Sequence, residues 1–165
     1  MALGKERPDP QKSLVGFEVG QVSYAVPIKA VKEIVTPLEL TAMPHAPRAV
    51  AGVADHRGQV IPIIDLRARF GLEPRDDPRR AKWILVEVQG RSVGLAVDRV
   101  TEVFGTGGQE LKEAPSLGSG DEARGIMGVT TYEGRLVFVL DVGRFESLTA
   151  ELEQGGMIPS LGGTR

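Results

Sequence analysis

The 165-residue chain contains no cysteine, which excludes disulfides, thiol nucleophiles and cysteine-ligated zinc or iron–sulfur centres by counting alone and accords with a reducing compartment. Histidine is almost as scarce. His45 and His56 are the only two, and neither a second histidine nor a carboxylate cluster stands at metal-ligand spacing from them, so no metal or other cofactor is expected. Neither sign of charge dominates: 20 basic residues face 22 acidic ones for a formal charge of −2, and no run of Lys or Arg builds a nucleic-acid footprint. Aromatics make up only 5%, too few to interleave a basic face as single-strand binders do. Long hydrophobic runs are missing as well, since Val60-Ile61-Pro62-Ile63-Ile64 falls far short of the roughly 20 residues of a spanning helix. Met1 to Lys12 lacks the apolar segment of a secretory signal and reads as a flexible lead.

What remains is a composition of 41% hydrophobic and 25% charged residues, that of a chain with a packed core. At this length roughly 70% of the unfolded surface is buried, enough for one core or two small ones sharing a wall. Short Val/Ile/Leu-rich segments with period-two alternation dominate, which predicts an all-β fold. The strands are expected at Ser13–Val19, Ser23–Ile28, Ala30–Val35, Ala51–Ala54, Val60–Asp65, Trp83–Val88, Ser92–Val97, Val100–Thr106, Ile126–Thr131 and Leu136–Asp141. Glycines 20, 58, 90 and 134 mark tight hairpins, so antiparallel neighbours are expected. Two short helices are predicted: Leu66–Phe70, after a possible N-cap at Asp65, and Gly143–Gln154, where Phe145, Leu148 and Leu152 share a face. Residues 13–154 thus form the domain and the Gly-rich 155–165 a disordered tail.

An internal repeat organises the domain. Phe17–Val35 lies over Val86–Phe104 without gaps, an offset of 69 (17 to 86); Val26 meets Leu95, Val31 meets Val100 and Glu33-Ile34 meets Glu102-Val103. Gly52–Leu66 lies over Gly128–Val142, an offset of 76 (52 to 128), matching the turn glycines Gly58 and Gly134 and the terminal aspartates Asp65 and Asp141. The order A, B, A′, B′, with about five short strands per half, predicts two similar small barrels packed together, because closure removes exposed sheet edges. A groove between them is the natural place to bind something.

Enzymatic signatures are lacking. Gly105-Thr106-Gly107-Gly108 is followed by no Lys-Ser/Thr and no helix start, and no serine occupies a nucleophile elbow. Asp65 and Asp141, repeated after equivalent strands, read as matched structural caps rather than a catalytic pair.

The segment Gly52-Val53-Ala54-Asp55-His56-Arg57-Gly58-Gln59-Val60-Ile61-Pro62-Ile63-Ile64-Asp65-Leu66-Arg67 resembles the hallmark of the CheW family of chemotaxis coupling proteins. Phe17-Glu18-Val19-Gly20, Tyr24-Ala25-Val26-Pro27-Ile28, Val31-Lys32-Glu33-Ile34, Pro44 with Pro47, and Val93 through Val100 extend the resemblance from roughly Leu14 to Leu148. It implies two SH3-like five-stranded β-barrels and a non-enzymatic cytoplasmic adaptor at receptor arrays near the inner membrane. Its implied partners are the cytoplasmic tips of methyl-accepting chemoreceptors and the regulatory domain of a CheA-type histidine kinase, with neither nucleic acid nor direct membrane insertion involved. By motif position the receptor contacts fall on Val31, Glu33, Gly52, Arg57, Val97 and Val100; no residues are assigned to the kinase. The hallmark departs from the family's Asn-Leu at Asp55-His56, which leaves open an adaptor for a non-chemotactic array serving surface motility, development or a second-messenger output.

These positions also have plainer readings. Arg57 can be a solvated turn residue tied to Asp55, His56 an exposed turn side chain, and Glu33 and Glu102 solvated strand positions. Val31, Val97 and Val100 can be core, and only an exposed patch among them would support binding.

Overall fold

The computed structural model describes residues 12–106, 110–113 and 125–145. Ten strands occur within it: β1 (Leu14–Val19), β2 (Val22–Pro27), β3 (Val31–Val35), β4 (Val50–His56), β5 (Gln59–Asp65), β6 (Lys82–Val88), β7 (Arg91–Val97), β8 (Arg99–Phe104), β9 (Ile126–Tyr132) and β10 (Arg135–Leu140). They match the ten expected segments, with Ala51–Ala54 extended at both ends. The expected tail at 155–165 and nearly all of the lead lie outside the described residues.

The strands form two five-stranded sheets, ordered β8-β1-β2-β10-β9 and β3-β6-β7-β5-β4. Under the repeat, β1, β2 and β3 correspond to β6, β7 and β8, and β4 and β5 to β9 and β10, so the two orders are the same order written twice. The third strand of each A unit nevertheless leaves its own hairpin: β3 pairs with β6, and β8 pairs with β1, both antiparallel. Each sheet therefore joins the first hairpin of one copy of the repeat to the last three strands of the other.

Antiparallel pairing is not universal, which corrects the expectation. β10 runs parallel to β2, with Phe138 beside Tyr24, and β5 runs parallel to β7, with Ile64 beside Leu95. The antiparallel pairs β4–β5, β6–β7 and β9–β10 are local hairpins with two-residue turns, Arg57-Gly58, Gln89-Gly90 and Glu133-Gly134. Both residues of each turn have positive φ, as a type I′ turn requires. Between hairpins no tight turn dictates direction, and the crossing of β3 and β8 frees an edge for a parallel neighbour.

Closure into barrels occurs at matching places. After β3, Thr41 exchanges backbone hydrogen bonds with Val53 of β4 at 2.8 and 2.9 Å; after β8, Lys112 does the same with Val129 of β9 at 2.9 and 2.8 Å. The approach at Thr41 needs a glycine. Gly52 has φ +152°, and a Cβ there would stand 2.5 Å from the Thr41 carbonyl oxygen.

The central strands are buried on both faces, which explains their nearly continuous apolar sequence. Val15, Phe17, Val19, Tyr24 and Val26 of the first barrel meet Ile84, Val86, Val88, Val93, Leu95 and Val97 of the second in one core along the seam. The alternate positions turn inward. Leu14, Ala25, Phe104, Val137 and Val139 fill the first barrel, and Ala54, Ile61, Ile63, Trp83, Leu85 and Ala96 fill the second. At about 1.5–3 kcal/mol for each large side chain withdrawn from water, the seam is the largest apolar contribution to the fold.

The predicted first helix is α1, Leu66–Arg69, a single turn whose N-cap Asp65 accepts the amide of Arg67 at 3.0 Å. Tertiary contact holds so short a helix, since Leu66 and Phe70 are buried in the seam. At the equivalent place Asp141 accepts the amide of Gly143 at 3.0 Å and opens a 3-10 turn over Val142–Phe145 with Phe145 buried. The two aspartates are thus matched structural caps. The remainder of the expected second helix, with Leu148 and Leu152, lies outside the described residues.

Candidate protein interface along the seam

β3 carries Glu33 to the β4–β5 turn, where the positive φ of Arg57 (56°) aims its side chain back across the barrel closure. Arg57 donates to Glu33 Oε2 at 3.0 Å, and His56 Nε2 stands 3.5 Å from Oε1, so the two carboxylate oxygens face two different cationic or polar partners. Asp55 accepts the amide of Gly58 at 2.8 Å and fixes the turn. The plainer readings are corrected here. Arg57 is tied to Glu33 rather than Asp55, Glu33 is not simply solvated, and the His56 side chain is only 17% exposed.

Arg57 itself is 75% exposed at the side chain, against 33% for Glu33. A pair this open contributes about 0–1 kcal/mol, too little to explain its presence by stability. Its guanidinium keeps a planar fork of donors turned to solvent, which suits carboxylates and carbonyls of a partner.

Val31 and Val100, equivalent in the repeat, are both half-buried and pack against the seam core, one on β3 in the second barrel and the other on β8 in the first. Val97 is fully buried in that core and offers no surface; its contribution is to packing under Val100 and Val31. Gly52 is also buried, and its part is to seat β4 against Thr41. Four of the six expected contact residues, Val31, Glu33, Arg57 and Val100, therefore retain accessible surface, while two hold the others in place.

Sequence reasoning gave no role to the ionic hub where the chain crosses between barrels. Asp98, between β7 of the second barrel and β8 of the first, accepts the amide of Gly20 at 2.7 Å from the β1–β2 turn. Arg67 of α1 donates to both its oxygens at 2.9 Å, and Arg75 bridges it at 2.9 Å to Asp65 at 3.1 Å. Burial raises the Asp98 carboxyl, but the hydrogen bonds from Arg67 and Gly20 and the charge of Arg75 outweigh it and hold it below the ordinary range. The signal available was a break in the repeat: an acid follows the fully apolar Val93–Val97 where the equivalent position is Lys29.

In the first barrel the clasp equivalent to Glu33–His56 is Glu102–Tyr132, with the Tyr132 hydroxyl donating to Glu102 at 2.8 Å. That bond is the main reason its phenol is pushed up to about 12. Glu133, not an arginine, occupies the place of Arg57.

Known proteins place this architecture. The profile of the CheW-like domain matches residues 13–148. Chemotaxis protein CheW of Rhizobium meliloti (strain 1021) is 35% identical over 131 residues, covering 79% of this chain and 84% of that protein. Protein FrzA of Myxococcus xanthus is 32% identical over 127 residues, 76% and 78% of the two chains. The crystal structure of the scaffolding protein TtCheW from Thermoanaerobacter tengcongensis superposes with a TM-score of 0.72 at 29% identity, covering 79% of this chain and 89% of that one. Two interlocked barrels, a matching solved structure and a matching profile over nearly the whole domain agree: the chain belongs to the CheW family, whose members are non-enzymatic scaffolds of chemotaxis signalling.

Proposed function

We propose that this protein is the coupling adaptor that joins the cytoplasmic tips of chemoreceptors to the regulatory domain of a CheA-type histidine kinase, in arrays beneath the inner membrane. The observation that carries the reading is the exposed Glu33–Arg57–His56 clasp, on the same strand as the half-buried Val31. An exposed arginine with apolar neighbours suits a partner helix, the valines supplying area and Arg57 register. Signal then passes by the relative placement of receptor and kinase on a rigid two-barrel body, without chemistry on the adaptor.

The Asp55-His56 departure and the similarity to FrzA support a second reading within the same class, an adaptor of a non-chemotactic kinase array. Calorimetric titration with the regulatory domain of each CheA-type kinase of the same cell separates the two, because the kinase that binds at micromolar affinity names the output. Flat titrations against every folded kinase domain would overturn the coupling role. For the receptor side, Arg57→Glu is expected to weaken binding to receptor tips by about tenfold or more while the fold stays intact, since the pair it breaks adds little stability. Unchanged receptor binding in the folded variant removes Arg57 from the interface.

A further inference from the structure

The two glutamate clasps share a backbone and differ in whether their ring can change charge. His56 and Tyr132 end β4 and β9 at equivalent places, and each turns its ring toward the glutamate across the barrel closure, Glu33 or Glu102. In the first barrel the contact is complete. The Tyr132 hydroxyl donates to Glu102 at 2.8 Å and its ring stacks on Phe104 with centroids 4.2 Å apart. With the phenol pushed up to about 12, that ring stays neutral at every physiological pH.

In the second barrel the contact is half made. His56 Nε2 stands 3.5 Å from Glu33 Oε1, longer than an N–H···O hydrogen bond but within ion-pair reach, while Arg57 holds Oε2 at 3.0 Å. Imidazole is the side chain whose ordinary titration falls between pH 5 and 8. Few charged groups surround it. β3 supplies Glu33 and also Lys32, whose amine donates to Ser92 of β7 at 2.9 Å. The turn supplies Arg57 and also Asp55, whose carboxylate accepts the Gly58 amide at 2.8 Å. β6 supplies the exposed Glu87, two residues beyond Leu85, the register partner of Glu33, and β5 places the neutral Gln59 opposite His56. An imidazolium here competes with Arg57 for one carboxylate. The His56 side chain is 17% exposed and that of Arg57 75%, so the less solvated cation keeps the acid and the open one is released.

We propose that the second-barrel clasp is a proton-operated latch: protonation of His56 transfers Glu33 from Arg57 to the imidazolium and frees the guanidinium for a partner's carboxylate. The latch is a property of the free protein. Its consequence, that receptor coupling tightens as pH falls, rests on the reading of Arg57 as a receptor contact.

The Arg57 Nε–Hε and histidine ring signals of the full chain, without partners, are followed by NMR from about pH 8 to about pH 5.5. His56→Gln tells the two histidines apart, and the amide spectrum of each variant reports its fold. The Arg57 signal is expected to move with the titration of His56 and to lose that dependence in His56→Gln and in Glu33→Gln. A flat Arg57 signal while His56 titrates, a dependence that survives in His56→Gln, or no titration of His56 in this range would each overturn the latch. Calorimetry with a chemoreceptor cytoplasmic fragment is expected to show about two- to fivefold tighter binding at the lower pH, the range of a solvated pair, and no such change in His56→Gln. Equal affinities at both pH values, or a change retained in His56→Gln, would overturn the consequence for coupling. Receptor binding absent at both would overturn the reading of Arg57 as a receptor contact and leave the latch, which the free protein decides.

Discussion

The two barrels share an order, a register and a closing bridge, yet they close with different chemistry. In the second, Glu33 faces an arginine and a histidine; in the first, Glu102 faces a tyrosine and has Glu133 beside it. The crossings between barrels differ too, an ionic hub at Asp98 and an exposed Lys29 at its equivalent. Duplicated backbone with unduplicated polar residues shows what each residue class is for. The apolar alternation and the turn glycines build the barrel and are kept in both copies, whereas the polar positions at the rim diverge because the fold does not need them.

The sharpest break of this comparison is at the closing glycines. Gly52→Val puts a side chain 2.5 Å from a backbone oxygen at φ +152°, and a loss of about 3 kcal/mol or more is expected on denaturant unfolding. At Gly128 the nearest atom is Leu111 Cβ at 2.8 Å, and no positive φ is imposed, so Gly128→Val is expected to cost about 1–2 kcal/mol. Equal losses would show that both closures are under the same constraint.

The crossings come next. Asp98→Ala strips Arg67, Arg75 and the Gly20 amide of their acceptor and is expected to cost about 1–3 kcal/mol, while Lys29→Ala leaves stability unchanged. Because the Asp98 carboxyl is held below its unfolded value, its contribution is complete above about pH 4 and fades as pH falls through the lowered folded value. Asp98→Asn should flatten that part of the acid limb, and an unaltered limb would assign the acid sensitivity elsewhere.

The smallest effect is spectroscopic. Tyr132 should ionise near pH 12 in an absorbance titration, and Glu102→Gln should bring it down toward the ordinary phenol range by removing the bond that raises it. The clasp stabilises fully below the unfolded value near pH 10 and is lost as pH rises through 12. A phenol still near 12 in Glu102→Gln would break the assignment of that clasp.

Much of the fold was legible because strand period and turn glycine are local signals. All ten strands and the Asp65 and Asp141 caps follow from residues within a few positions of one another, and the two-barrel repeat from laying those local patterns over each other. Strand direction between hairpins was not legible, since β2 meets β10 more than 100 residues away and nothing in either strand encodes a parallel neighbour. At the site, Glu33 and Arg57 were named by motif position, but their meeting depends on barrel closure. Val97 was named with them and is buried because odd positions of β7 face the seam, a parity that the strand's unbroken apolar sequence conceals.

The exchange of β3–β5 and β8–β10 between barrels has a consequence for any half of this chain. One copy of the repeat carries every strand type that a barrel needs, but its last three strands lie in the sheet of the other copy's hairpin. A lone copy cannot close on itself in this way, and the smallest body that satisfies all its edges is two copies trading their last three strands. The domain is in effect such a strand-swapped pair joined into one polypeptide, and cutting it between the copies leaves two pieces that must find each other again before either is folded.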